Sequence, residues 1–142
     1  MWQEDPLCAQ LWYQTHLNAT PRRVAAGAPP LPPLAACQQA RSPEPSWPSL
    51  TKEGTYRAPT GGVSFSGVAI NWYPNQTSRP LAPTAGRLMD HVGLAVRDLD
   101  AWLAKLRGEG VTILRPPYRI GGSRAVMIEG PSREAIELVE EK

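Results

Sequence analysis

Asp90-His91-Val92-Gly93-Leu94-Ala95-Val96-Arg97-Asp98-Leu99-Asp100 is the stretch from which the fold can be read. Branched apolar residues at alternate positions make His91 to Val96 a strand, with Val92, Leu94 and Val96 on one face and His91, Gly93 and Ala95 on the other. Asp98 is placed to cap a helix in which Leu99, Trp102, Leu103 and Leu106 form one stripe, and Gly108 and Gly110 end it. Val111 to Leu114, Arg124 to Ile128 and Ala135 to Val139 follow as further strands, with turns at Pro116-Pro117, Gly121-Gly122 and Gly130-Pro131. Residues 88–142 thus read as strand, helix, strand, strand, strand: one complete βαβββ module.

Working back toward the N-terminus, Asp5-Pro6 starts a helix, because aspartate can accept from free amides and proline suits the first helical position. It runs to Leu17, with Cys8, Leu11, Trp12 and Thr15 at the spacing of one face and Asn18 suited to the left-handed stop. Gly62 to Tyr73 holds two alternating runs split by Ser66-Gly67, a hairpin signal. Most of the sixteen prolines interrupt what lies around it. Residues 26–59 read as a long proline-rich loop without regular structure, open to use as a lid, a polyproline recognition segment or a plain surface excursion. A linker follows at 76–86. The two halves share a plan: a capping aspartate (Asp5, Asp98), a helix, then alternating strands. Duplication of a unit with one open sheet face lets two such faces cover each other.

Composition narrows the function classes. Fifteen basic and thirteen acidic residues are scattered along the 142-residue chain, without the basic stripe of a nucleic-acid surface, so no nucleic-acid partner is expected. No apolar run reaches bilayer-spanning length and no leader pattern follows Met1, which gives the expectation of a soluble, cytoplasmic protein with no membrane partner. Cys8 and Cys37 lie far apart and match neither a disulfide framework nor a zinc spacing, consistent with a reducing compartment. The run Glu134, Glu137, Glu140 and Glu141 fits no calcium-loop spacing.

Asp90 to Asp100 and Glu129-Gly130-Pro131-Ser132-Arg133-Glu134-Ala135-Ile136-Glu137-Leu138-Val139 resemble the opening and closing strands of a vicinal-oxygen-chelate module, the unit of glyoxalases, bleomycin-resistance proteins and extradiol dioxygenases. The likeness extends more weakly to 5–18 and to the hairpin ending Ile70-Asn71-Trp72-Tyr73-Pro74. It implies an α+β fold of paired βαβββ modules in a single domain over 1–142, with 5–75 as a first module that lacks its opening strand. By the same resemblance His91 and Glu137 are metal ligands facing a pocket, and Asn71 stands near the place of the first module's glutamate. Strand parity agrees, since Glu137 shares the side of His91 if Ile136 and Leu138 pack toward the helix.

Two functions follow from the resemblance and remain open on the sequence. One is a metal-dependent lyase, isomerase or dioxygenase for a small vicinal-oxygen substrate, holding zinc, nickel, manganese or ferrous iron, with Glu137 as catalytic base. The other is a metal-free protein that binds or sequesters a small molecule, as bleomycin-resistance proteins do. Trp72, Tyr118, Arg124 and Asn71 are the substrate-binding candidates in either case, and His16 reads as a surface histidine. A homodimer is expected, because a symmetric partner could complete an incomplete first module.

Overall fold

The computed structural model describes residues 1–22, 30–39, 59–77 and 79–142, which divide into two compact units, Met1–Leu81 and Ala82–Lys142. The first contains β1 (Trp2–Gln3), α1 (Pro6–Leu17), β2 (Thr20–Pro21), α2 (Leu34–Gln39), β3 (Gly61–Phe65) and β4 (Val68–Pro74). The second contains β5 (His91–Val96), α3 (Leu99–Gly108), β6 (Ile113–Ile120), β7 (Ser123–Glu129) and β8 (Ala135–Glu140). Their sheets have the same plan, β1-β4-β3-β2 and β5-β8-β7-β6, each with its opening strand parallel to its last strand and antiparallel pairing elsewhere. This is the paired βαβββ architecture, in an α+β class, that the sequence led us to expect.

In the first unit the Asp5 carboxylate accepts from the amides of Leu7 (3.0 Å) and Cys8 (3.1 Å), and Asn18 ends α1 at φ 54°. Of the four residues expected on its packing face, Cys8, Leu11, Trp12 and Thr15, only Trp12 is buried. Pro6, Ala9, Gln10, Tyr13 and Leu17 are the buried row, at helical spacing, whereas Cys8 and Leu11 are half-buried and Thr15 is exposed. Gln10 is satisfied in the core by the Gly62 amide at 3.1 Å. Close approach of α1 to β3 depends on Gly61, where a Cβ would stand 2.6 Å from the Pro6 carbonyl oxygen. Trp72, fully buried, lies 4.9 Å from the Tyr13 ring and completes this core.

Three expectations for the first unit need correction. The opening strand thought to be missing survives as two residues, with Trp2 opposite Tyr73 and Gln3 opposite Pro74. Within the loop expected at 26–59, most of which lies outside the described residues, Leu34–Gln39 forms a short helix; Pro33 precedes it and its carbonyl accepts from Ala36 and Cys37, a place where proline forfeits no helical bond. That helix carries Cys37 to Cys8 of α1, and the two form a disulfide with Cα atoms 5.4 Å apart. The reading of two isolated thiols is thereby overturned, because sequence separation hid a contact made by folding.

In the second unit α3 starts where the Asp98 carboxylate accepts from the Ala101 amide (2.9 Å), and Leu99, Leu103 and Leu106 are its buried face. They lie against the apolar side of the sheet, where Val126, Ile128, Ile136 and Leu138 are buried. Trp102 is only half-buried, with the Lys105 ammonium 5.6 Å from its ring. The turn expected at Pro116-Pro117 is instead the middle of β6, an edge strand whose register to β7 shifts between Ile113 and Arg115 and again between Arg115 and Tyr118. Proline is admitted there because an edge strand can lose ladder bonds that a central one cannot. No helix among the described residues is long and apolar enough to cross a membrane.

Candidate functional site

The second unit leaves one sheet face without a helix, and strand parity decides what lines it. Glu137 lies opposite Gly93 of β5 and Met127 of β7, so it shares its face with His91 and Ala95. Through Ala125, which pairs with both Val139 and Tyr118, the phenol of Tyr118 arrives on the same side, and Arg115 does so opposite Met127.

Glu137 is 6% exposed and both of its oxygens are engaged. Tyr118 donates its hydroxyl to Oε1, and His91 Nε2 stands 3.4 Å from Oε2. The other ring nitrogen of His91, Nδ1, lies 3.3 Å from Asp90 Oδ2. Each imidazole nitrogen therefore has a carboxylate oxygen near it, and the ring is oriented from both sides whichever nitrogen carries the proton. Asp90 is held below the usual carboxylate range, first by the Gly86 amide and then by His91. Tyr118 is pushed up to about 12, first by burial and then by its hydrogen bond to Glu137. The Arg115 guanidinium lies over the Tyr118 ring at 3.9 Å. Gly93 leaves room beside Glu137, since a Cβ there would meet nothing within 4 Å.

The chain of groups Asp90, His91, Glu137 and Tyr118 bears directly on metal binding. His91 Nε2 and Glu137 Oε2 are close enough to share one cation, but Tyr118 holds the second carboxylate oxygen. Among the described residues no group of three or more His, Cys, Asp or Glu side chains could hold a metal ion. Two donors fall short of the three or four protein ligands of a tightly held zinc-type ion. These residues do not by themselves fit a resident metal.

The other candidates lie elsewhere. Arg124 shares parity with Val126 and Ile128, which places it on the helix-covered face, where it binds Asp100 of α3 (Nη1 to Oδ2, 2.9 Å) and sits 3.7 Å from Glu140. Trp72 belongs to the core of the first unit, and its indole nitrogen finds no acceptor among the described residues. Asn71 is exposed on the opposite face of β4, where its side-chain oxygen accepts from Arg22 at 3.3 Å. His16 packs on the Trp12 ring at 4.9 Å. Glu134 turns back to accept from the Ser132 amide at 2.8 Å, which fixes the turn before β8. Sequence reading missed Asp90 and Arg115 as members of the open-face cluster. The first was adjacent to His91; the second was hidden by ending its strand at the prolines.

Comparison with known proteins agrees with this architecture. A member of the glyoxalase/bleomycin resistance protein/dioxygenase superfamily from Sphaerobacter thermophilus DSM 20745 superposes with a TM-score of 0.59 at 18% identity, over 99% of this chain and 94% of its own. The fosfomycin resistance protein FosX from Listeria monocytogenes gives 0.61 at 12% identity, over 100% and 88%. TnmS3, an antibiotic binding protein from Streptomyces sp. CB03234, gives 0.58 at 14% identity, over 100% and 93%. At these identities the likeness is one of fold. No curated protein matches the chain. The sequence model of one family does match, over residues 10–138, and with the repeated sheet plan it shows that the chain belongs to the Glyoxalase/Bleomycin resistance protein/Dioxygenase superfamily.

Proposed function

We propose that the chain is a small-molecule-binding protein of this superfamily, which recognises its ligand through hydrogen bonds on the open face of the second unit and without a resident metal. The observation that carries this reading is the linked set Asp90, His91, Glu137 and Tyr118, in which the carboxylate expected to ligate a metal is already bonded to a phenol and beside an imidazole. Such a set offers a bound molecule a fixed acceptor and an oriented imidazole, and polar groups placed in this way confer specificity on an otherwise apolar surface. Ala95, Val139 and Met127 supply that surface around them. Two relatives of the same fold are a fosfomycin resistance protein and an antibiotic binding protein, which makes antibiotic-sized polar molecules the first class to try.

The test is calorimetric titration of a panel of hydroxylated and phosphonate antibiotics, fosfomycin included, in EDTA and again with manganese, zinc, nickel or ferrous iron. We expect binding in EDTA that falls at least tenfold in Glu137→Gln and in His91→Ala. Binding that appears only with metal, together with stoichiometric metal lost in both variants, would replace this reading with the metal-dependent enzyme, in which Glu137 serves as base. Equal affinity in all variants would remove the open face from the site altogether.

A further inference from the structure

The first unit has an open sheet face of its own, and its make-up differs from that of the second. Trp2 and Tyr73 stand side by side on neighbouring strands, ring centres 5.6 Å apart and tilted by 51°. Trp2 is 54% exposed, an unusual position for the largest apolar side chain. Next along the same face of β4 is Asn71, paired with Gly62 of β3. Gly62 in turn accepts from the backbone of Arg22 at 2.9 Å, so Arg22, Gly62 and Asn71 form one row across the sheet. The neighbouring row is Thr20, Ser64 and Ala69. Small side chains thus leave a shallow floor beside the aromatic pair.

The Arg22 guanidinium is held over this floor by a neutral group, the Asn71 side-chain oxygen, and among the described residues no carboxylate pairs with it. A positioned cation that keeps its charge attracts an anion, and exposed aromatic rings bind a flat π-system by stacking. Asn71 and Tyr73 are two residues apart on one strand, roughly 7 Å along it, so the cation held by Asn71 and the aromatic pair lie on one face with a gap between them. We infer that the open face of the first unit binds an arene bearing an acidic group several bonds from its ring, with the ring on Trp2 and Tyr73 and the acid on Arg22. This rests on the reading of the chain as a small-molecule binder, but it uses residues that the second-unit cluster does not include.

The probes are 4-(1-naphthyl)butanoate, its neutral primary amide and decanoate, titrated by calorimetry and by quenching of tryptophan fluorescence. The arylalkanoate should bind at least tenfold more tightly than both the amide and decanoate. Arg22→Gln should abolish the preference over the amide while leaving amide binding unchanged, Asn71→Ala should reduce it, and Trp2→Leu should weaken arylalkanoate and amide alike. Far-UV circular dichroism identifies any variant that fails to fold, and the comparison of the two probes on wild-type protein needs no variant. Equal affinity for acid and amide on wild type, or for decanoate and the arylalkanoate, overturns the inference, as does an Arg22→Gln variant that retains the preference. Arg124→Gln, on the helix-covered face of the second unit, should leave these affinities as they are. Loss of antibiotic binding in Glu137→Gln without arene binding on wild type would therefore remove this inference and keep the proposed function, and the reverse pattern would do the opposite.

Discussion

Breaking the Cys8–Cys37 disulfide should destabilise the first unit far more than the second. The bond spans a sequence separation of 29, and it ties α1 to a helix that otherwise stands in a proline-rich stretch. For a closed loop of roughly 30 residues the chain entropy removed from the unfolded state is about 12 cal/mol/K, or about 3.5 kcal/mol at 25 °C. In a unit of this size 1 kcal/mol moves the midpoint by about 4–8 °C, so reduction should lower the thermal transition of the first unit by about 15–25 °C. Near-ultraviolet circular dichroism can follow it, because Trp12, Tyr13 and Trp72 pack together there. Trp102 reports on the second unit, which contains no cysteine and should melt unchanged. The comparison is oxidised protein against protein in phosphine reductant and against the Cys8→Ala/Cys37→Ala double variant. A shift below about 3 °C in both would refute the loop-closure argument, and two titratable thiols in unreduced protein would refute the bond itself.

Four further outcomes can be checked. Gly61→Ala should unfold the first unit at markedly lower urea, by about 1–3 kcal/mol, because the new methyl group meets the Pro6 carbonyl rather than a side chain that can move. Leu106→Ala should destabilise the second unit by about 2–5 kcal/mol in denaturant unfolding, since Leu106 is wholly buried and the methyl groups removed leave a cavity under the sheet. Tyr118 has a folded pKa raised to about 12, so its contribution is fully present below its ordinary value of 10.0 and lost as pH rises through the folded value; ultraviolet titration should show a late phenol that is missing in Tyr118→Phe. Asp100 is held below its ordinary value of 3.8 by Arg124, so that pair supports the fold above this value and fades as pH falls; Arg124→Gln should flatten the acid limb of stability without altering ligand affinity.

What the sequence disclosed follows the range of the interactions concerned. The start of α1 at Asp5, its stop at Asn18, the hairpin around Ser66-Gly67 and the whole order of the second unit were legible, because caps, turns and alternation act within a few residues. Alternation alone also places His91 and Glu137 on one face, where the structure has them. The same rule applied to Arg124, which has the parity of Val126 and Ile128, would have removed it from the open face, and Trp72 has the parity of Ile70. The disulfide was illegible because its partner helix sits among prolines. A two-residue β1 carries no period to detect, and Pro116-Pro117 looks like a turn unless the strand is known to be an edge.

Those two prolines also determine how the second sheet can grow. Neither residue has an N–H, and both fall in the register shift between Arg115 and Tyr118, so this stretch of the edge strand lacks two consecutive donors. That loss accords with the shift in register there. It leaves a border that another extended segment cannot copy bond for bond, and the shifted register twists what remains away from a straight template. An edge that would otherwise invite unrelated chains to polymerise onto it is capped within its own covalent structure, so this strand resists fibrillar self-association.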